Sequence, residues 1–324
     1  MAPSKPLHVK TPLRESIPLS KLAGTKVYLK LDSAQPTGSF KIRGGNAGLA
    51  AAYSARRLGI PATIYVPTST PAFTVERLKD EGSNVCVEGE MLAESTKAAK
   101  ELVKNNPEWV YVSPYDDPLI WEGHMSLIRE IKEQMESKPG ALALSVGGGG
   151  MLCGVIRGLR ETKALLRRCL KVFKGIATTL GVNTVAVETL KLAQEHPVFS
   201  VVVTDREAVV AIEKFVDDEK ILVEPACGAA LTSVYSQVVQ RLQAEGKLSP
   251  QLDSLVVIVC GGNNITLAEL QHLKEQLGIQ NDKDHWGQDS TENQVALAVW
   301  DVTSQANSGT FRASLQACWK PCAY

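Results

Sequence analysis

The chain has 324 residues, and its 35 basic side chains balance its 35 acidic ones, so the formal net charge is zero. A chain of this length predicts about two domains, and a hydrophobic content of 44% is enough to build a buried core. A balanced charge gives no basic surface that would attract a phosphate backbone or an anionic lipid. We therefore expect neither nucleic acid nor a membrane as a partner.

The seven cysteines are scattered, and none forms a Cys-x-x-Cys pair. In a chain this long, that pattern predicts reduced intracellular thiols rather than a disulfide framework. Residues 1–10 lack the apolar stretch of a secretory signal, and apolar runs such as 255–260 are far too short to span a membrane. We expect a soluble cytoplasmic enzyme or binding protein.

Predicted helices and strands alternate along most of the chain. Helices are predicted at 48–57 and 75–80, and strands at 62–66 and 84–87. Two apolar strands, 141–146 and 255–260, each end in glycines and precede helices at 151–160 and 266–277. This order predicts an α/β fold in which ligands bind at the carboxyl ends of parallel strands.

The last 44 residues, 281–324, have a different composition. Asp, Asn, Gln, Ser and Thr dominate, yet three of the five tryptophans also lie here. We predict an atypical, loosely attached extension with a short helix or strand at 295–302.

Four consecutive glycines, Gly147 to Gly150, connect a predicted strand to a predicted helix. Glycines at this position let backbone N–H groups surround an anion, and the helix start adds a partial positive charge. A tight turn can also require glycine, but four in a row favour a phosphate site. The motif is neither GxGxxG nor GxxxxGK, so neither a dinucleotide fold nor a P-loop is indicated.

Two further side chains are candidates for the same site. Lys41 follows a polar turn, Ser39 and Phe40; most lysines are solvated surface cations, but one in a dry pocket can form a Schiff base. An amine and a phosphate site together suggest pyridoxal phosphate. Cys260 ends an apolar strand and is either a small buried hydrophobe or a partner for a cofactor ring nitrogen. Asn46 could simply cap the helix that follows it.

In these motifs the chain resembles the L-serine dehydratase/L-threonine deaminase group of fold type II pyridoxal-phosphate enzymes. The resemblance covers most of residues 7–280 and is carried by LHVKTP (7–12), SAQPTGSFKIRG (33–44), DPLIWEGH (117–124), LSVGGGG (144–150), AIEKFVDDEKILVEPACG (211–228) and VVIVCGGN (256–263).

The resemblance implies two open, twisted, parallel-sheet domains: a large one at 1–36 and 120–280 and a small one at 37–119. It implies a Schiff base on Lys41, Phe40 on the cofactor ring, Asn46 at the ring hydroxyl and Cys260 at the ring nitrogen. The phosphate would lie on Gly147, Gly148, Gly149, Gly150 and Met151. A monovalent cation, K⁺, would bind backbone carbonyls of Gly148, Leu180 and Val182.

The implied reaction is α,β-elimination, which converts L-serine to pyruvate, or L-threonine to 2-oxobutanoate, with release of ammonia. Lys41 would be the base, and the cofactor would take up the charge of the carbanion. A thiol at the ring nitrogen would not hold it protonated, which favours elimination over transamination. The resemblance also implies a cytoplasmic homodimer acting in amino-acid metabolism and gluconeogenesis.

The chain departs from the family at two places. Lys41 and Asn46 are five residues apart, where the family has a helix and a strand between them, and a parallel crossover needs about a dozen residues. Residues 161–174 show a basic amphipathic helix pattern, where the family has a central strand that ends in a cation-binding glutamate. We therefore predict that each sheet lacks one strand and that this glutamate has no equivalent.

Two alternatives remain open. The first is another activity of the same fold, serine racemisation or β-replacement, although Cys260 and the run 211–228 favour the dehydratase. The second is an inactive variant, which binds the cofactor poorly or pairs with an intact subunit, because a lost central strand costs more than the roughly 5–15 kcal/mol of net stability of a typical domain.

Overall fold

The computed structural model describes residues 5–44, 48–162, 169–173, 185–196 and 198–279, and for 169–173 it describes the backbone. These residues belong to one compact unit. Asn46, Leu180, Val182 and the whole extension at 281–324 lie outside the described residues.

A six-stranded sheet organises the larger part of the structure. Its strands run in the order β1-β2-β8-β5-β6-β7, and all neighbours are parallel except β1, which pairs antiparallel with β2. Their bounds are β1 (Leu13–Glu15), β2 (Lys26–Leu31), β5 (Ala141–Ser145), β6 (Cys169–Phe173), β7 (Val198–Val202) and β8 (Ser254–Val259). Every residue of β5 and β8 is buried, as expected for central parallel strands.

A second, parallel sheet contains β3 (Thr63–Val66) and β4 (Asn84–Val87) in the part of the chain that the structure describes. This agrees with the short small-domain sheet expected from the sequence. Ala52, Val66 and Leu78 form a small hydrophobic cluster beside it, separate from the main core. The predicted boundaries between a large and a small domain stay a prediction.

Helices connect most of the strands. Their bounds are α1 (Ile17–Ala23), α2 (Gly48–Leu58), α3 (Ala72–Asp80), α4 (Leu92–Asn105), α5 (Pro118–Gln134), α6 (Gly150–Glu161), α7 (Val187–Glu195), α8 (Asp205–Glu219), α9 (Pro225–Tyr235), α10 (Val238–Ala244) and α11 (Leu267–Gln276). Helix α5 packs on α6, α8 packs on α9, and α9 packs on β5 and β8. Among the described residues, no helix is both long and apolar enough to cross a membrane.

Side chains at the helix starts explain several boundaries. Asp117 accepts the N–H of Leu119 and Pro118 fills the first position of α5, where no backbone donor is needed. Thr204 and Glu207 form a reciprocal capping box at the start of α8. Local sequence therefore sets where these helices begin.

The strands predicted at 62–66, 84–87, 141–146 and 255–260, and the helices that follow the last two, are confirmed with small boundary shifts. The last two were predictable because each combines an apolar run of strand length with the glycine-rich turn that follows it.

The prediction that the large sheet lacks a central strand is wrong. Residues 161–174, predicted to be helical, contain β6, which pairs with β5 on one side and β7 on the other. Leu142 of β5 lies opposite Cys169, and Phe173 lies opposite Val202 of β7. Two flanking strands offer backbone hydrogen bonds on both sides, and this tertiary pairing outweighs the local helical periodicity.

The buried strand β5 should carry much of the stability of the sheet. Leu144 is fully buried, so Leu144→Ala removes buried methyl groups at the centre of the sheet and should lower the free energy of unfolding by about 2–5 kcal/mol in urea denaturation. The matched control, Leu119→Ala, alters a side chain that is 76% exposed. It should change the free energy of unfolding by less than about 0.5 kcal/mol. Equal losses in the two variants would contradict the placement of β5.

Candidate active site

A short antiparallel contact brings the lysine motif to the end of the central strand β8. Ser39 forms an isolated antiparallel β-bridge with Gly261. The N–H of Phe40 donates to the carbonyl of Cys260 at 3.1 Å, and the N–H of Gly262 donates to the carbonyl of Gly38 at 2.9 Å. The two motifs, far apart in sequence, are therefore neighbours through their backbones. This places Phe40, Lys41 and Cys260 at one strand end.

Lys41 itself lies in a 3-10 turn, Phe40–Arg43. The hydroxyl of Ser39 accepts the N–H of Lys41 and so caps this turn. The side chain of Lys41 is 22% exposed, with Nζ 5.6 Å from the centre of the Phe40 ring and 3.9 Å from Oε1 of Glu224. The amine is thus largely enclosed but still reachable.

Arg43, the last residue of the turn, is fully buried in a network of charges. Its guanidinium donates two hydrogen bonds to Asp32, at 2.6 and 2.8 Å, and two to Glu130, at 2.6 and 2.9 Å. The ammonium of Lys30 also donates to Glu130, at 2.6 Å. The two positive charges, on Arg43 and Lys30, neutralise the two negative charges of the carboxylates, and buried charges need such pairing.

The ionisation of this network follows from its hydrogen bonds. Burial raises the pKa of Glu130, but hydrogen bonds from Arg43 and Lys30 outweigh it, so the net pKa lies below the usual value. Burial lowers the pKa of Lys30, and the hydrogen bond to Glu130 offsets part of this effect. Glu130 is therefore charged in the folded protein near neutral pH.

His124 packs beside the turn from helix α5. Its ring centre lies 5.3 Å from that of Phe40 at an interplanar angle of 43°. Neither ring nitrogen has a hydrogen-bond partner among the described residues, and the residue is 1% exposed. Burial, followed by the charges of Arg43 and Lys41, lowers the pKa of His124 to about 3. The imidazole is therefore neutral near pH 7.

The four glycines lie where the sequence predicted them, between β5 and α6. No side chain caps α6, so its first backbone donors face the loop. The structure also gives steric reasons for glycine: a Cβ on Gly148 would lie 2.1 Å from the Tyr115 ring, and one on Gly149, whose φ is +96°, 2.2 Å from the Thr189 hydroxyl. Tight packing therefore accounts for glycine at these two positions, and anion binding by the same loop stays a prediction.

Cys260 follows β8 directly and is buried, as the first of its two interpretations expects, and its role at a cofactor ring stays a prediction. It is buried, 2% exposed, and it also stands at the strand end beside the lysine turn. Its sulfur lies 3.6 Å from the hydroxyl of Ser145, which ends β5 two residues before the glycine loop. Burial, followed by a hydrogen bond with Cys260, raises the pKa of Cys227 well above the usual value. The Cys227 thiol is therefore protonated.

Of the predicted site residues, the structure brings Phe40, Lys41 and Cys260 together at the end of β8, and the loop at 147–150 and Met151 follow the neighbouring strand β5. Asn46 and the proposed cation ligands Leu180 and Val182 are not among the described residues, so their roles stay predictions. Within the described side chains, no cluster of His, Cys, Asp or Glu could hold a metal ion.

The sequence reasoning missed three residues that surround Lys41, namely Arg43, His124 and Glu224. All three stand inside motifs that carry the resemblance, Arg43 in 33–44, His124 in 117–124 and Glu224 in 211–228. Glu224 precedes Pro225 at the start of an apolar helix, and this pattern could have indicated an acidic residue at a helix start.

These residues fit a cofactor that has a phosphate, an aromatic ring and an aldehyde. The uncapped start of α6 suits the phosphate, the half-buried Phe40 offers a ring surface, and Lys41 supplies an enclosed amine. The fold and the site therefore define an α/β enzyme that uses pyridoxal phosphate.

Comparison with known proteins agrees with this class. Residues 44–261 match the family described as pyridoxal-phosphate dependent enzymes, and the chain belongs to this family. It is 57% identical to the human L-serine dehydratase/L-threonine deaminase, over 87% of this chain and 99% of that protein, and 58% identical to the mouse protein, over 86% and 98%.

A solved structure shows the same fold. The fungal L-serine ammonia-lyase from Rhizomucor miehei superposes with a TM-score of 0.77 at 32% identity, covering 83% of this chain and 99% of that one. The expected fold type II architecture is therefore confirmed.

The neutral, buried His124 makes stability depend on pH. In the unfolded chain a histidine has a pKa of about 6.5, so below that pH the unfolded state binds a proton that the folded state excludes until about pH 3. Above pH 6.5 the histidine is neutral in both states and does not change the stability. Between pH 6.5 and about pH 4 the free energy of unfolding should fall by about 1.4 kcal/mol per pH unit.

Urea unfolding at several pH values tests this. His124→Gln should remove this part of the acid dependence, whereas the exposed-site control His272→Gln should keep it. An acid dependence in His124→Gln that equals that of the unaltered chain would contradict the burial of a neutral imidazole.

Proposed function

We propose that the chain catalyses the pyridoxal-phosphate-dependent conversion of L-serine to pyruvate and ammonia, and of L-threonine to 2-oxobutanoate and ammonia. The observation that carries the proposal is that the turn containing Lys41 pairs with the end of β8 at Cys260, while the neighbouring strand β5 leads into the glycine loop. The names of relatives that are 57% and 58% identical over most of their length support the same substrates.

Each residue has a role that its position supports. Phe40 offers a face for the cofactor ring, the loop at 147–150 and Met151 provide backbone donors for its phosphate, and Cys260 would face the ring nitrogen. When bound, pyridoxal phosphate would supply an electron-withdrawing ring that acidifies the α-hydrogen of the substrate. Lys41 is the amine placed to take that proton.

The enclosure of the site also serves the reaction. The Lys41 side chain is mostly shielded, and Arg43, two residues further along the turn, donates hydrogen bonds to the buried carboxylates of Asp32 and Glu130. A shielded amine keeps its position and is less solvated by water, which favours proton transfer from carbon.

On resemblance, we further propose a cytoplasmic homodimer that acts in amino-acid metabolism and gluconeogenesis. The cytoplasmic proposal is supported by Cys86, Cys153, Cys227 and Cys260, which are free thiols. A K⁺ site on the carbonyls of Gly148, Leu180 and Val182 stays part of this proposal; the carbonyl of Gly148 accepts the N–H of Ala186 at 3.0 Å.

The activity test uses the purified chain with added pyridoxal phosphate. Pyruvate should form from L-serine, and Lys41→Ala should lower its rate by about 10²–10⁴-fold because the base is lost. Lys79→Ala, at an exposed lysine paired with Glu76, is the control and should leave the rate unchanged.

Several results would contradict the proposal. D-Serine formed in place of pyruvate would indicate a racemase, and pyruvate formation that survives Lys41→Ala would exclude Lys41 as the base. A chain that binds the cofactor yet releases no product from either amino acid would support the inactive variant.

A further inference from the structure

Glu224 is a buried acidic residue at the start of helix α9. Its carbonyl accepts the N–H of Cys227 at 2.8 Å and of Gly228 at 3.0 Å, which fixes its backbone. Its side chain does not cap the helix and is 4% exposed. The carboxylate is therefore directed into the protein.

The glycine pair after Cys260 makes room for this carboxylate. A Cβ on Gly262 would lie 1.9 Å from Cδ of Glu224 and 2.2 Å from its Oε2, and the φ of Gly262 is +118°. A side chain at this position is excluded on both grounds. The N–H of Asn264 donates to Oε2 at 3.5 Å. The loop that ends β8 thus encloses the Glu224 side chain.

The other carboxylate oxygen faces the catalytic amine. Oε1 of Glu224 lies 3.9 Å from Nζ of Lys41, and the two side chains are 4% and 22% exposed. Charges at this distance interact more strongly when shielded from water, because the surrounding dielectric constant is low.

We propose that Glu224 is a positioning residue that holds the Lys41 amine and stabilises the ammonium group formed when Lys41 takes the α-proton of the substrate. In that step the proton moves from the α-carbon to Nζ and the C–H electron pair stays with the substrate. Glu224 remains a carboxylate throughout. The inference rests on the proposed function for this step, whereas the ion pair itself is a property of the protein alone.

A double-mutant cycle in the cofactor-free protein tests the ion pair. Thermal unfolding is measured for the unaltered chain, Lys41→Met, Glu224→Gln and the double variant. Because each single change leaves one charge without its partner, the two single shifts should add to more than the double shift, by roughly 2–4 °C. Additive shifts would overturn the proposal.

The catalytic role is tested in the cofactor-loaded enzyme with α-deuterated L-serine. Glu224→Gln should lower kcat about 10- to 100-fold with a smaller change in KM, and should increase the deuterium isotope effect, because proton removal becomes slower. Glu224→Asp should restore part of kcat. The exposed-site control Glu133→Gln should behave as the unaltered chain.

The two measurements separate the two proposals. Coupling in the cofactor-free protein, combined with an unaltered chain that forms no pyruvate, would reject the proposed function while keeping the ion pair. Pyruvate formation with an unchanged isotope effect in Glu224→Gln would reject the role of Glu224 while keeping the proposed function.

Discussion

The buried hydrogen bonds of Arg43 fix the turn that carries Lys41. The guanidinium joins this turn to Asp32, directly after β2, and to Glu130 on α5, and Lys30 supplies the second positive charge. Loss of one member would leave a buried charge without a partner, which typically costs about 3–5 kcal/mol. The antiparallel contact between Ser39 and Gly261 then joins the turn to β8. Every other feature of the site is arranged around the amine that these contacts hold.

The sequence was informative where one local pattern decides the structure. Apolar strands followed by glycines predicted strand ends at Val146 and Cys260, one residue beyond the observed ends at Ser145 and Val259. The contact between Ser39 and Gly261 was not predictable from spacing, since it depends on β8 pairing between β2 and β5. The resemblance, rather than periodicity, supplied the role predicted for Phe40 and favoured one of the two interpretations of Cys260.

The failures have a common physical cause. Residues 161–174 have helical periodicity, but β6 forms there because β5 and β7 provide hydrogen-bond partners on both sides. Glu224 and His124 were missed because their importance comes from packing against distant residues, Gly262 in one case and Phe40 in the other. Because β6 is present, the loss of a central strand no longer favours an inactive variant.

The central claim is that the turn fixed by Arg43 presents Lys41 as the amine that binds the cofactor. Borohydride reduction of the chain loaded with pyridoxal phosphate, followed by peptide mapping with mass spectrometry, tests it most directly. The account predicts that the reduced cofactor is found on the peptide containing Lys41. A cofactor attached to a different lysine, or to none, would contradict it.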